Sequence, residues 1–231
     1  SGQSNELRLS KSNISDRIRW DIQCEAEDYQ TIVPGCTPSR CARLVYHNLI
    51  DEHDLEIISR IPRRVMELTP GGAGGPTIFD IHTGALSYKE KFVDAYQLIE
   101  HLDTPSPLSM EDLAAVERMV NTVRNKIGEE FEIDPDKLYL TSPTFFSKIR
   151  GGVQPRTLND EYWHEHVDKA AYGRFVYTSL LYLSDYGTDF TGGEFAFIDK
   201  KVLGDGKGSW DMTASIQYAC STYSRISEQK P

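Results

Sequence analysis

The stretch that decides the fold is Tyr162-Trp163-His164-Glu165-His166-Val167-Asp168. On a β-strand, His166 and Asp168 are two positions apart and point to the same face. An imidazole and a carboxylate that converge in this way begin a metal site with open positions, as non-haem Fe(II) requires. His164 has the same parity, so a His-x-His site is an alternative. Because solvated loops also contain His-x-Asp pairs by chance, the neighbouring segments have to decide between these interpretations.

Two downstream segments supply that context. Residues 174–183 predict a strand, and it contains Thr178-Ser179-Leu180-Leu181-Tyr182-Leu183. The run Phe190-Thr191-Gly192-Gly193-Glu194-Phe195-Ala196-Phe197 has the glycines of a hairpin turn, and residues 194–198 alternate as a second strand does. The His-x-Asp pair, the T-x-L-x-Y-L strand and the G-G-E-x-x-F hairpin together resemble the prolyl-hydroxylase branch of the Fe(II)/2-oxoglutarate dioxygenases.

The resemblance implies a role for each of these residues. His166 and Asp168 would be iron ligands, and Tyr182 would match the strand tyrosine that hydrogen-bonds 2-oxoglutarate. The implied cofactors are Fe(II) and 2-oxoglutarate, and the implied substrate is a protein or peptide. An ordinary core tyrosine is the alternative for Tyr182, and a pocket-lining residue is the alternative for His164. A cupin-like site is disfavoured, because alanines follow where that pattern has a glutamate.

The expected fold is α+β, with a double-stranded β-helix (jelly-roll) core and a helical layer packed on one sheet. The resemblance implies that this core is incomplete at its C-terminal strands, and the order of elements predicts helices first and strands afterwards. The predicted organisation is an extended arm over residues 1–41, a dioxygenase-like domain over 42–198, and a C-terminal tail unlike the family over 199–231.

Local patterns predict the helices and the loops between them. A strand over Ala42–Tyr46 precedes a helix in which Pro62 should introduce a kink or a break. Residues 70–76 form a glycine-rich loop that lacks the Lys-Ser/Thr of a phosphate-binding loop. The clearest helix covers Met110–Ile127 and begins with Ser109 and Asp112 in a capping-box arrangement. Its predicted apolar stripe is Met110, Leu113, Val116, Val120, Val123 and Ile127.

The C-terminal part departs from the family pattern. The family needs a second iron-binding histidine and a basic 2-oxoglutarate anchor after the Asp, but no histidine follows His166 in this chain. We therefore infer that the family sequence is replaced after Ile198, as alternative splicing would do, and expect weak or absent cofactor binding and little or no turnover. Residues 215–223 are strand-like; packing in the vacated position, disorder and partner contact all remain open. The alternative function is a non-catalytic binding or regulatory isoform, with self-association through open sheet edges.

Composition limits the partners and the compartment. A net charge of −10 disfavours nucleic acid as a partner, and no apolar run is long enough to span a membrane. A Cys36–Cys41 disulfide is plausible in a turn-rich segment, with reduced thiols as the alternative. Together with the glycosylation sequon at Asn13, the cysteines favour the secretory-pathway lumen. The domain would there be the soluble part of a membrane-anchored protein, whose anchor lies outside this sequence.

Overall fold

The structure, a computed structural model, describes residues 17–24, 39–152, 176–192, 195 and 197, and the backbone of 211–220. These residues form a mixed α+β fold with a curled, open sheet of eight strands and a separate two-stranded ribbon. The strands are β1 Arg17–Ile22, β2 Cys41–Tyr46, β3 Gly71–Gly72, β4 Thr77–Asp80, β5 Ala85–Lys89, β6 Lys91–Asp94, β7 Leu138–Leu140, β8 Phe145–Ile149, β9 Tyr177–Tyr182 and β10 Asp211–Cys220. The helices are α1 Glu52–Val65, α2 Ala95–Glu100 and α3 Met110–Phe131.

Helix α1 continues through its proline. The side chain of Asp51 caps its first turn by accepting a hydrogen bond from the His53 N–H at 2.9 Å. Pro62 lies inside the helix, so the expectation that it breaks the element in two is wrong. Ile58, Ile61 and Val65 on this helix are fully buried. Their burial offsets the hydrogen bond that the proline cannot donate.

Helix α3 begins as the sequence predicts and ends later. Both hydrogen bonds of the Ser109–Asp112 capping box are present, and the helix extends to Phe131. The predicted apolar stripe is partly wrong, because Met110 is 81% exposed and Leu113 is 40% exposed. The stripe is rotated towards smaller and polar residues, since its buried members are Asp112, Ala115, Val116, Met119, Val123, Ile127, Gly128 and Glu130.

Two ion pairs fix α1 against α3 in an antiparallel arrangement. The guanidinium of Arg118 binds both carboxylate oxygens of Asp54, at 2.6 Å and 2.9 Å. Arg64 donates to Asp112 at 2.7 Å. Burial alone would raise the pKa of Asp112, but hydrogen bonds from Ser109 and Arg64 outweigh it and lower that pKa. The pair with Arg64 and the cap at Ser109 explain how the carboxylate of Asp112 is buried.

The helices cover one face of the sheet and bury its large side chains. Phe79 of β4 stacks on Phe146 of β8 with 6.2 Å between ring centroids. Leu86 of β5 and Leu138 of β7 are fully buried in the same core cluster as the α1 and α3 residues. The expected helical layer on a sheet is therefore present, whereas the jelly-roll topology stays a prediction.

The expected order of helices first and strands afterwards is wrong. Strands β3–β6 lie between α1 and α3, and β4 pairs with β8 while β5 pairs with β4 and β6. Each strand has two to five residues, so the alternation that marks a strand is short. Their turns are held by side chains: Asp80 accepts from the His82 N–H at 3.0 Å and from the Thr83 hydroxyl at 2.8 Å.

Strand β10, from the predicted tail, lies inside the sheet. Its residues 211–215 pair with β8, residues 218–220 with β7, and residues 213–218 with β9, all antiparallel. Of the strand-like segment 215–223, residues 215–220 pair within the sheet, residues 221–223 lie outside the described residues, and packing in the vacated position of a jelly roll stays a prediction. Among the described strands, β9 is hydrogen-bonded to the sheet through β10 alone.

Strands β1 and β2 form an antiparallel ribbon next to the sheet. A disulfide joins Cys24, just after β1, to Cys41 at the start of β2. The predicted Cys36–Cys41 pairing is therefore wrong. Close spacing in sequence favours Cys36. Strand pairing instead places Ile22 opposite Cys41, which brings Cys24, two residues further along, within disulfide distance. None of the helices in the described part of the chain is both long and apolar enough to cross a bilayer.

The position of β10 can be tested with a proline at Ala214, whose register partners are Phe146 and Leu181. Proline has no backbone N–H, so Ala214→Pro removes a hydrogen-bond donor from β10 and leaves the acceptor on the neighbouring strand unpaired. The free energy of unfolding should fall by about 1–3 kcal/mol. Chemical denaturation measures this change. Ala214→Ser keeps the N–H and is the control; equal stability of the two variants would contradict a central β10.

Candidate active site

The structure describes one of the site residues that the sequence predicts, Tyr182. His164, His166 and Asp168 lie outside the described residues, as does the sequon at Asn13. Most of the predicted strand over 194–198 also lies outside them, with Phe195 and Phe197 described. The site is therefore built here from Tyr182 and its neighbours, and the metal-binding residues remain predictions.

Tyr182 is the last residue of β9 and pairs with Thr213 of β10. Its side chain is 40% exposed, so it is not an ordinary buried core tyrosine. The ring meets the ring of Phe195 edge-on, with 6.4 Å between centroids. A ring fixed at a strand end and open on one side can present a hydroxyl to a small carboxylate ligand.

Tyr182, Phe195 and Phe197 together form a half-exposed surface that we call the aromatic wall. Phe195 and Phe197 pack edge to face, with their centroids 4.9 Å apart. The guanidinium of Arg43, on β2, lies 5.0 Å from the centroid of the Phe197 ring, which is cation–π distance. The ribbon thus contacts the wall that contains the predicted 2-oxoglutarate tyrosine.

The two faces of the ribbon have different partners. The register pairs Arg17 with Tyr46 and Trp20 with Arg43. Because side chains alternate along a strand, Arg17, Arg19 and Tyr46 share one face, and Arg43 lies on the other. The first face meets the end of α3, and the second meets the aromatic wall.

Glu130, near the end of α3, anchors the first face. Its carboxylate accepts hydrogen bonds from Arg17 at 2.6 Å and from Arg19 at 2.7 Å, both at the same oxygen. The hydroxyl of Tyr46 donates to the other oxygen. Arg19 also lies 5.8 Å from the ring centroid of Phe131. We call this set of contacts the Glu130 clamp.

The Glu130 clamp changes the pKa values of Glu130 and Tyr46. Burial by itself raises the pKa of Glu130, but hydrogen bonds from Arg17, Tyr46 and Arg19 outweigh it and lower the pKa to about 2. Burial and the hydrogen bond to Glu130 raise the pKa of Tyr46 to about 12. The carboxylate is therefore charged and the phenol neutral across the physiological range.

The clamp lines a charged cleft of about 500 Å³. Its other members pair locally: Arg40 with Glu132 at 3.3 Å, and Lys126 with Glu129 at 2.5 Å. The opposite charges that line this cleft pair with one another and hold the ribbon against α3. No group of three or more metal-binding side chains occurs among the residues for which the structure gives positions.

Sequence reasoning missed Arg43 and the Glu130 clamp. An Arg-x-Arg pair on a strand places two cations on one face, which is a signal that the alternation of β1 contains. Nothing local indicates their partner, because Glu130 is more than 100 positions away along the chain. Arg43 likewise meets Phe197 through tertiary packing alone.

Comparison with known proteins shows which proteins the chain is similar to. The chain is 40% identical over 196 residues to the 2-oxoglutarate and iron-dependent oxygenase domain-containing protein 3 of Xenopus tropicalis, covering 84% of this chain and 60% of the relative. The mouse and human proteins of that name are 43% and 41% identical over 182 residues, covering 78% of this chain and 56% of each relative. The chain is a homologue of these oxygenase-domain proteins.

The chain spans a little under two thirds of the length of these relatives. No protein-family model matches the chain. No solved structure matches it either. The predicted resemblance to proteins of this group is confirmed by these relatives, and Tyr182 lies on a strand as the resemblance implied.

The Glu130 clamp predicts a specific acid sensitivity. A carboxyl whose folded pKa is depressed stabilises the fold above its unfolded pKa of about 4.3, and this contribution is lost as pH falls towards 2. Glu130→Gln should lower the free energy of unfolding at pH 7 by about 1–3 kcal/mol. It should also flatten the decline in stability between about pH 5 and pH 2, measured by denaturation at each pH.

Glu129→Gln is the matched control for this measurement. Glu129 is the neighbouring residue, its side chain is 67% exposed, and it pairs with Lys126 on the surface. Exposed pairs contribute little, so this variant should keep the wild-type pH profile. Identical profiles for the two variants would show that the clamp does not stabilise the ribbon.

Proposed function

We propose that the chain is an Fe(II)/2-oxoglutarate dioxygenase-type hydroxylase domain with strongly impaired turnover. The observation that carries the proposal is Tyr182, half-exposed at the end of β9 within a chain homologous to oxygenase-domain proteins. The proposed fold is a double-stranded β-helix in which the curled sheet is one part. The proposed substrate is a protein or peptide side chain.

Each predicted residue has a proposed role. His166 and Asp168 would bind iron through an imidazole and a carboxylate, with His164 as the alternative ligand. The hydroxyl of Tyr182 would donate to a carboxylate of 2-oxoglutarate, and its exposed ring fits that role. When bound, iron and 2-oxoglutarate would activate O2, so that one oxygen atom enters a C–H bond of the substrate and the other enters succinate as 2-oxoglutarate loses CO2.

The proposed impairment follows from the composition of the C-terminal part. The six histidines are at positions 47, 53, 82, 101, 164 and 166, so none follows the His-x-Asp pair. Two protein ligands hold a metal ion more weakly than a facial triad. The sequence after Ile198 also lacks the family's Gly-x-Arg-Tyr strand, which would cost 2-oxoglutarate a charge-assisted hydrogen bond of about 1.5–3 kcal/mol.

The compartment is a proposal as well. The Cys24–Cys41 disulfide supports an oxidising environment, and we propose the secretory-pathway lumen. Glycosylation at Asn13 and attachment to a membrane through a segment outside this sequence remain parts of that proposal.

A non-catalytic binding or regulatory isoform is the second candidate. The central position of β10 favours it, because a sheet that incorporates the tail can be stable without a second iron histidine. Such an isoform would act through protein–protein contacts, with self-association through a strand that has one neighbour among the described strands, such as β6. Partner binding that needs neither metal nor 2-oxoglutarate, or dimers in size-exclusion chromatography, would favour this candidate.

Metal binding tests the predicted ligands. His166→Ala and Asp168→Ala should each weaken binding of Mn(II), a redox-inert stand-in for Fe(II), measured by calorimetry without oxygen. His164→Ala should leave it largely unchanged. His53→Ala is the control, because that side chain is 68% exposed on α1. Loss of binding in His164→Ala with retention in Asp168→Ala would support the His-x-His alternative.

Measurements of turnover and of 2-oxoglutarate binding test the proposed impairment and the proposed role of Tyr182. With Fe(II), 2-oxoglutarate and O2, the purified chain should form no more succinate than the iron-free control. Tyr182→Phe removes one hydroxyl and should weaken 2-oxoglutarate binding about 2- to 10-fold, the range of one hydrogen bond. Sustained succinate formation that His166→Ala abolishes would contradict the proposed impairment.

A further inference from the structure

We propose that Arg43 is a positioning residue: through the aromatic wall it sets the orientation of Tyr182, which links the β1–β2 ribbon to the 2-oxoglutarate site. The inference rests on the proposed function for its ligand. The contacts that carry it are independent of that function. They form one continuous series from Arg43 to Phe197, from Phe197 to Phe195, and from Phe195 to Tyr182.

The wall needs such a support because its rings are only partly buried. Phe195 is 52% exposed and Phe197 is 45% exposed, so burial alone stabilises them less than a core aromatic. Edge-to-face contacts orient each ring relative to the next. The guanidinium at the end of the series meets Phe197 from a different element of the fold, which restricts where that ring can lie.

Arg43 can act as a support because the ribbon that contains it is held elsewhere. The Cys24–Cys41 disulfide closes one end of the ribbon. The Glu130 clamp holds the face opposite Arg43 against α3. A guanidinium on a ribbon fixed in this way has a defined position, whereas one on a loose arm would not.

The ribbon also reaches the other end of β9. Arg19 lies 5.8 Å from the ring centroid of Phe131, and that ring packs on Tyr177 with 4.9 Å between centroids. Tyr177 is the first residue of β9 and is buried. One face of the ribbon therefore supports the start of β9 and the other face supports its end, so a shift of the ribbon changes the environment of the whole strand.

Hydrogen exchange measured by mass spectrometry tests the positioning role. Arg43→Ala should increase amide exchange in peptides covering 177–192, with Tm lowered by less than about 4 °C. It should also raise the Kd for 2-oxoglutarate, measured with Mn(II) present, about two- to fivefold, as the loss of one exposed cation–π contact allows. Arg43→Lys retains a cation and should restore most of both values.

Arg40→Ala is the matched control, because Arg40 lies just before the same strand and pairs with the exposed Glu132. It should leave exchange over 177–192 unchanged. Equal exchange in wild type, Arg43→Ala and Arg40→Ala would overturn the proposal. If Arg43→Ala alters exchange but His166→Ala and Asp168→Ala leave Mn(II) binding unchanged, the positioning role stands and the proposed function fails.

A separate experiment tests whether the effect of Arg43 depends on a ribbon that is held in place. Replacing both Cys24 and Cys41 by Ser should increase exchange in the ribbon and over 177–192. In an Arg43→Ala background the same replacement should increase exchange in the ribbon and at the start of β9, which Arg19 reaches through Phe131, while adding little over 182–192. If the cysteine replacements loosen 182–192 equally with and without Arg43, the ribbon acts on Tyr182 through another contact and the inference is overturned.

Discussion

The hydrogen bonds of β10 are the constraint on which the candidate site depends. This strand pairs with β7 and β8 on one side and with β9 on the other. Within the described part of the sheet, β9 has no other ladder, so the position of Tyr182 relative to the core follows from β10. A strand buried between two neighbours must satisfy its backbone groups on both sides, which makes the pairing obligatory once the segment enters the sheet.

The ribbon adds a second constraint, and it is electrostatic. Glu130 is buried, and a buried carboxylate without partners would be costly; two guanidinium groups and a phenol supply those partners. Separating the carboxylate from these partners would leave a buried, unpaired charge, which costs free energy. The ribbon therefore stays packed on α3. Arg43, on the opposite face of this ribbon, contacts Phe197 of the aromatic wall, so the ribbon borders the candidate site.

Local sequence patterns predicted the elements whose defining contacts join residues close together along the chain. The capping box at Ser109 and the strands at β2 and β9 were predicted because their patterns are contained in a few consecutive residues. Strands β3–β6 were missed because each is too short to show alternation. The break at Pro62 and the Cys36–Cys41 disulfide were wrong for a related reason: core packing and strand register outweigh a local preference.

The sequence by itself determined what the chain resembles, since the strand and hairpin motifs around Tyr182 are local and specific, and the relatives named for an oxygenase domain bear out that resemblance. It also determined where the main helix begins, because a cap is a contact between residues three positions apart. Only the tertiary structure decided where the C-terminal strand lies, which cysteine pairs with Cys41, and which cation meets the aromatic wall. Each of those contacts joins residues far apart along the chain, and no local pattern specifies which distant segments will meet.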